Sequence, residues 1–435
     1  MSSKYTPLHV AVVGGGLGGL AVAVALRQQG HRVEIFEASA TNTELGLGIT
    51  VPPNGSKALD ALGYNIENTY PTHWRRAMVV HQGGHPPMQR DMEYFTSTFG
   101  RYWYVCGRRA LHDELKRLAF DEQLENTPCT IHLASPVASC DPERGTVVLK
   151  DGREFQFDLV VGADGIRSRI RQSLNPGARD PPPTGMCNFR FSIEKHLLES
   201  VPGCEWVMHE GDTGPRIWMS DARHHVFAYA IKCPERGDVL NVAAICDDRR
   251  DQSISKWRTD ASRDELLSYF SDFDEKWQQL LRLAPPVVNL WQLRVLDQVQ
   301  TWAKGKACIL GDAAHAMFQA ICWTVLGQGA AQAFEDAVLL GTLLPPGTSK
   351  SEVPAILKRW ESIRKPRVQP IQLLSAEEML SPVKQAKYYR SVERQLPVMG
   401  YDVVHEMARY KAPPVLRNRE AEEGTNSFEM LEAKL

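Results

Sequence analysis

The stretch His9-Val10-Ala11-Val12-Val13-Gly14-Gly15-Gly16-Leu17-Gly18-Gly19-Leu20-Ala21-Val22-Ala23-Val24-Ala25-Leu26 decides the fold. His9–Val13 is an apolar strand, the glycines make a tight turn, and Leu20–Leu26 belongs to a helix that Gly30 ends. Val33–Phe36 begins the next strand, which makes the segment a βαβ unit of about 30 residues. Gly14, Gly16 and Gly19 fit G-x-G-x-x-G in the required context, between a strand and a helix. The first glycine permits the turn, the second lets the backbone approach a pyrophosphate at the helix N-terminus, and the third allows close helix–strand packing. Glu37, at the end of the second strand, is placed to accept both ribose hydroxyls and would repel a 2′-phosphate. The turn therefore suits an unphosphorylated ADP moiety, carried by FAD or by NAD.

Composition sets the frame around this unit. A chain of 435 residues holds about two or three domains, and 43% apolar with 23% charged residues is a globular balance. Fifty Lys and Arg against 52 Asp and Glu give a net charge of −2, so nothing favours nucleic acid or an anionic membrane as partner. Leu8–Leu26 carries no charge and imitates a membrane span, but its five glycines break it, and no integral membrane segment is expected. The nine cysteines are scattered without a CxxC pair, which predicts reduced core thiols and no metal site. His224 and His225 read as a sheet-edge pair, since no third ligand accompanies them. The expected location is cytoplasmic. Ala433-Lys434-Leu435, a relative of the Ser-Lys-Leu address, makes peroxisomal import the alternative, testable by deleting it from a fluorescent fusion.

Downstream, Leu111–Ala119 reads as a helix and Thr146–Phe157 as a hairpin turning at Asp151-Gly152. After Pro181-Pro182-Pro183 the pattern changes to short strands at Cys187–Ile193, Glu205–His209, Arg216–Met219, Val226–Ile231 and Val239–Cys246. That spacing predicts an antiparallel sheet inserted as a second domain. Glu265–Leu283 follows as one amphipathic helix, with Leu266, Phe270, Phe273, Trp277, Leu280 and Leu281 along a stripe. From Cys308 the strand–turn–helix pattern of the first domain returns.

The expected fold class is α/β: a discontinuous Rossmann-like dinucleotide-binding domain, an inserted mainly antiparallel β-sheet substrate domain and a helical C-terminal region. Its boundaries are 1–180 and 296–345 for the two parts of the first domain, with some substrate-domain segments near 70–105. The substrate sheet spans 181–295, the helical region 346–412, and a polar disordered tail 413–435.

Two further segments choose between the cofactors. Asp158–Gly162 runs as a strand into the turn Ala163-Asp164-Gly165 and a basic helix start. Cys308-Ile309-Leu310-Gly311-Asp312-Ala313-Ala314-His315 precedes a helix opening at Gly327-Gln328-Gly329-Ala330. With the glycine turn, in this order, they resemble the group A flavoprotein aromatic hydroxylases, the family of salicylate hydroxylase and 4-hydroxybenzoate hydroxylase. The similarity is greatest to the fungal secondary-metabolism branch, over roughly residues 8 to 410.

This resemblance implies FAD as cofactor, NAD(P)H as transient co-substrate, O2, and a small aromatic or phenolic substrate, with oxygen transferred through a C4a-hydroperoxyflavin. It implies that Asp312 binds the ribitol chain, that Gly329 and Ala330 present N–H groups to the flavin, and that Arg108 and Gly48 lie against the cofactor. Asn54 fits the neighbouring segment, and Asp164 supports cofactor and nicotinamide binding. On the substrate sheet, His225, Phe227, Tyr229 and Ile231 share one face by the two-residue period, and Arg190 is opposite in phase to Phe189 and Phe191 on a neighbouring strand. The shared face, an aromatic wall with polar tips, suits a phenolic ring and makes His225 and Phe227 expected substrate contacts, while the resemblance assigns Arg190 and Tyr229 the catalytic role of holding a phenolate.

One segment departs from the family pattern. In the family, a proline and a Gly-x-Gly turn follow the histidine within about seven residues. Here Gly327 lies twelve residues after His315, no proline intervenes, and residues 318–326 fill the gap. A shift of about 1 Å beside a reacting centre can cost 10²-fold in rate. The segment is an altered active-site loop, retained intron sequence, or the mark of an impaired flavin-binding protein. Epoxidation, dearomatising oxidation and oxidative decarboxylation are the alternative reactions for the same fold.

Overall fold

The opening segment builds the strand His9–Val13, the helix Leu17–Gln28 and the strand Arg32–Phe36. The computed structural model describes residues 5–42, 48–81, 87–202, 204, 207–208, 213–220, 223–251, 257–317, 327–377 and 392–411. It places this unit in a six-stranded sheet ordered Ala303–Lys304, Ala307–Ile309, Leu159–Gly162, His9–Val13, Arg32–Phe36, Thr130–His132. All pairings are parallel except the Ala303–Lys304 edge. Its central strands are buried on both faces, which is why they read as continuous apolar runs. Gly14 takes φ +102°, and a Cβ there would lie 2.4 Å from the Ala163 carbonyl oxygen. A Cβ on Gly19 would lie 1.9 Å from the Gly14 carbonyl oxygen, so helix and turn touch where only hydrogen fits.

The chain leaves this sheet after Gly162 and returns at Ala303. The intervening residues supply most of an eight-stranded sheet. Its order is Arg258–Ser262, Val287–Arg294, Pro183–Glu194, Gly237–Asp247, His225–Cys233, Arg216–Met219, Arg76–His81, Met88–Asp91. Neighbours are antiparallel except Arg76–His81 with Arg216–Met219. Alternation sorts its faces: Phe189 and Phe191 pack with Phe270 and Trp277 in one core, while Asn188 and Arg190 point to the opposite side. Helices Gln328–Leu343, Val353–Glu377, Val392–Met399 and Val403–Lys411 complete the fold.

Several expectations need correction. Glu265–Leu283 is two helices, Arg263–Tyr269 and Glu275–Arg282. The Asp274 carboxylate accepts from the Trp277 N–H and caps the second, so a short polar side chain restarts the helix although all six stripe residues are buried. His225 does not sit at a sheet edge: it opens a strand flanked on both sides and is fully buried. His224 Nε2 donates to the Tyr269 carbonyl at 3.0 Å, with its ring against Phe270 and Phe273. The strand of Arg190 is not adjacent to that of Tyr229, because Gly237–Asp247 lies between them.

Of the stretch Glu205–His209, only Val207 and Met208 are described, and they form no strand. Residues 318–326, Cys322 among them, and the tail with Ala433-Lys434-Leu435 lie outside the described residues. The other eight cysteines are unbridged, including Cys187 and Cys246, whose sulfurs are 3.5 Å apart on paired strands. Among the described residues no helix is long and apolar enough to cross a membrane.

Candidate active site

A cleft runs between the two large sheets and is closed on one side by the C-terminal helices. At one end the first strand hands the chain to the glycine turn. Gly16 caps the helix Leu17–Gln28 there, and a Cβ on it would meet no atom within 4 Å. Gly329 stands in the first turn of the sixteen-residue helix Gln328–Leu343, and a Cβ on it would likewise meet nothing. Two helix N-termini thus present bare backbone to open space in the same cleft, where N–H groups and the positive dipole end stabilise negative charge. The Glu37 carboxylate accepts from the N–H of Gly15 at 2.6 Å and of Ser39 at 2.7 Å, and each oxygen keeps a lone pair for a ribose hydroxyl.

Asp312 opens a short helix on the cleft wall after Gly311, which takes φ +55°. Ala330, Gly48 and Arg108 line the same cleft. Asp164 does not. Its carboxylate accepts from the Ser168 hydroxyl at 2.5 Å, the Arg169 N–H at 2.6 Å and the Ile170 N–H at 3.2 Å. Burial raises its pKa against these three donors. It therefore holds the turn before helix Arg169–Leu174, while Ala163 and Gly165 on either side reach the cleft.

At the substrate-sheet end, Arg190, Phe227 and Tyr229 line the wall, and His225, fully buried, does not. Arg190 Nη2 reaches the Gly48 carbonyl at 3.4 Å and makes no ion pair with a described carboxylate. Burial lowers its pKa, with Arg108 adding to this and Tyr229 opposing it. An arginine stays protonated regardless. Burial pushes the Tyr229 phenol up to about 12, so at neutral pH it is a neutral hydrogen-bond donor. A Cβ on Gly48 would come within 2.8 Å of the Tyr229 hydroxyl, which ties the cofactor-side strand Gly48–Val51 to the substrate wall. Trp74 completes an aromatic cluster, 6.3 Å from Phe227 and 5.9 Å from Tyr229 between ring centroids.

Sequence reasoning missed the support beneath the cleft. Glu335 and Asp336 are fully buried in the helix Gln328–Leu343. Arg364 donates to Asp336 Oδ1 and Glu335 Oε2, both at 2.7 Å, and to Gln332 Oε1 at 2.7 Å. Arg367 donates to Glu335 at 2.8 and 2.9 Å, and Asn54 Nδ2 donates to Glu335 at 2.7 Å. Asp336 Oδ2 also accepts from the Gly311 N–H at 3.0 Å and faces His315 Nε2 at 2.7 Å. One carboxylate thus grips both ends of the segment bearing Asp312. The readable signal was there: two adjacent acids inside the apolar run Phe334–Leu340, and Arg364 and Arg367 one helical turn apart.

Burial alone would raise the Asp336 pKa, but His315 and Arg364 outweigh it and hold it at about 2. A depressed carboxyl stabilises the fold fully above its unfolded pKa of about 3.9 and loses that contribution as pH falls through its folded value. Unfolding free energy from urea titrations is expected to decline from about pH 4 to pH 2, with Asp336→Asn flattening that limb.

Fold and cleft together define an FAD-dependent monooxygenase of the aromatic hydroxylase type. Residues 7–373 match the family model described as FAD binding domain, and the chain belongs to this family. It is 37% identical to hispidin-3-hydroxylase of Neonothopanus nambi over 414 residues, covering 93% of this chain and 96% of the relative. It is 27% identical to a salicylate hydroxylase of Pseudomonas putida over 399 residues, covering 87% of this chain and 86% of the relative. A solved salicylate hydroxylase substrate complex shares the fold, with TM-score 0.71 at 23% identity, covering 92% of this chain and 97% of that one.

The glycines separate folding from cofactor binding. Gly19→Ala is expected to abolish folded protein, because its methyl group would strike backbone. Gly16→Ala should keep the unfolding free energy within about 1 kcal/mol of wild type, as on other unstrained helix-end sites, while weakening FAD binding at least about tenfold. Denaturation curves and FAD fluorescence titrations check both.

Proposed function

We propose that this protein hydroxylates a phenolic or aromatic-acid ring with O2 and NAD(P)H, in the making of a secondary metabolite. Arg190 carries this reading: a cation on an aromatic-lined wall, with one long hydrogen bond to a carbonyl and no described carboxylate, is left for an anionic oxygen of the substrate. The names of the relatives, hydroxylases of hispidin and of salicylate, support the same chemistry.

FAD, when bound, supplies the redox chemistry that activates O2. One oxygen atom enters the ring, the other leaves as water, and NAD(P)H gives the two electrons. The chain's own residues prepare the ring. Arg190 favours the phenolate, which is the electron-rich form attacked by an electrophilic oxygen. Tyr229, kept protonated by burial, donates a hydrogen bond that aligns the same oxygen. Gly329 and Ala330 at the helix start stabilise negative charge on the cofactor side. Trp74, Phe227 and Met92 keep water from the ring.

The test is NAD(P)H consumption by the FAD-loaded enzyme across a phenol panel, with product mass. A product one oxygen heavier that keeps its aromatic absorbance is expected. Lost absorbance or lost carbon dioxide would move the reading to dearomatisation or decarboxylation. No stimulation by any aromatic compound would refute it.

A further inference from the structure

Two buried side chains on the substrate wall have no role in the scheme above. Asn188 and Asn241 are each 1% exposed and line the cleft. Neither carboxamide has a hydrogen-bond partner of normal geometry among the described residues, on its oxygen or its nitrogen. Asn241 lies opposite Tyr229 in register and draws the phenol's pKa down slightly against burial, yet it stops short of a well-formed bond. Buried polar groups in folded proteins are nearly always paired. Two orphaned carboxamides facing one cavity mark places where a ligand supplies the partner.

The strand register fixes their spacing. Arg190 pairs with Ala243, and Ala243 with Phe227. Asn188 pairs with Ile245 on one side of this row, and Asn241 pairs with Ser192 on the other. The two carboxamides are therefore four residues apart in register, about 14 Å along strands that rise ~3.4 Å per residue. Ala243 between them keeps the floor of the slot low. A single benzene ring with one substituent at each end cannot reach both.

The carboxamide also selects the chemistry of its partner. It carries two N–H donors and one acceptor oxygen. A carboxylate or phenolate only accepts and leaves the amide oxygen unpaired, whereas a hydroxyl group serves both atoms. We propose that Asn188 and Asn241 recognise the two ends of an extended polyphenol, with hydroxyl groups on both of two linked rings and Arg190 between them. This rests on the aromatic hydroxylase reading of the same cleft.

The test uses the FAD-loaded full chain and three ligands: a stilbene with hydroxyls on both rings, a stilbene hydroxylated on one ring, and salicylate. Dissociation constants come from the perturbation of flavin absorbance, and thermal stability is measured without ligand. Wild type is expected to prefer the doubly hydroxylated stilbene by about 10- to 100-fold, the worth of a buried hydrogen bond whose loss strands its partner. Asn188→Leu and Asn241→Leu should each shrink that preference to about threefold or less. Both should leave Tm unchanged or raised, because an unpaired polar group leaves an apolar wall.

Equal binding of the two stilbenes by wild type overturns the proposal, as does a preference that survives both substitutions. A fall in Tm assigns the carboxamides to structure and also overturns it. If salicylate binds and neither stilbene does, this inference fails while the hydroxylase reading stands. If no aromatic ligand perturbs the flavin, both fail together.

Discussion

Arg364→Met is expected to lower the unfolding free energy by about 3–5 kcal/mol, the range for breaking one side of a buried ion pair. Arg364 is fully buried, and its guanidinium meets Asp336, Glu335 and Gln332 at 2.7 Å each. Burial lowers its pKa, but the two carboxylates more than offset this and raise it above the ordinary arginine value. Methionine fills similar space and leaves Asp336 without its guanidinium partner. Glu335 keeps Arg367, so Asp336 should suffer most. Because Asp336 also holds the Gly311 N–H and His315, the Asp312 segment should loosen, and FAD affinity should fall with stability. Urea denaturation and FAD titration measure the two effects. Arg364→Lys should rescue little, since a single ammonium cannot replace a planar fork that meets three acceptors. A variant as stable as wild type would show that the cluster is electrostatically dispensable.

Arg190→Met is expected to act in the opposite way, on turnover and not on folding. With a phenolic substrate, kcat/KM should fall about 10²–10³-fold, the cost of removing one placed donor from developing negative charge. FAD content should stay at the wild-type level and Tm should hold or rise, because Arg190 makes one long hydrogen bond and no ion pair with a described residue. The pH profile separates charge from packing. Without the guanidinium, activity should require higher pH to form the phenolate, and Arg190→Lys should restore part of the neutral-pH rate. Unchanged kcat/KM in Arg190→Met would remove the residue from the reaction.

The contrast between these arginines explains what could be read in advance. Arg190 was visible by phase: on a strand with Phe189 and Phe191, a residue between two buried aromatics must point the other way. Arg364 sits within a helix where any face could be buried, and only its packing beside Glu335 and Asp336 gives its charge a purpose. Asn188 and Asn241 were equally silent, because a polar residue in a strand carries no mark of whether water reaches it. His225 shows the limit of phase alone. It shares a face with Phe227 and Tyr229, yet it is fully buried and does not line the cleft that they line.

By itself the sequence determined the βαβ opening, the three glycines with Glu37, and the return of the chain at Cys308–His315. Those are local matters: strand period, backbone freedom and the acid at a strand end act within about 30 residues. The tertiary structure alone decided which groups meet. Strand order set Gly237–Asp247 between Arg190 and Tyr229, turning an expected adjacent pair into a slot floored by Ala243. It also turned Asp164 inward as a helix cap and buried Glu335 and Asp336 beneath Asp312. Pairing across more than 100 residues depends on which surfaces bury one another, and hydrophobic burial is non-directional until the whole core is assembled.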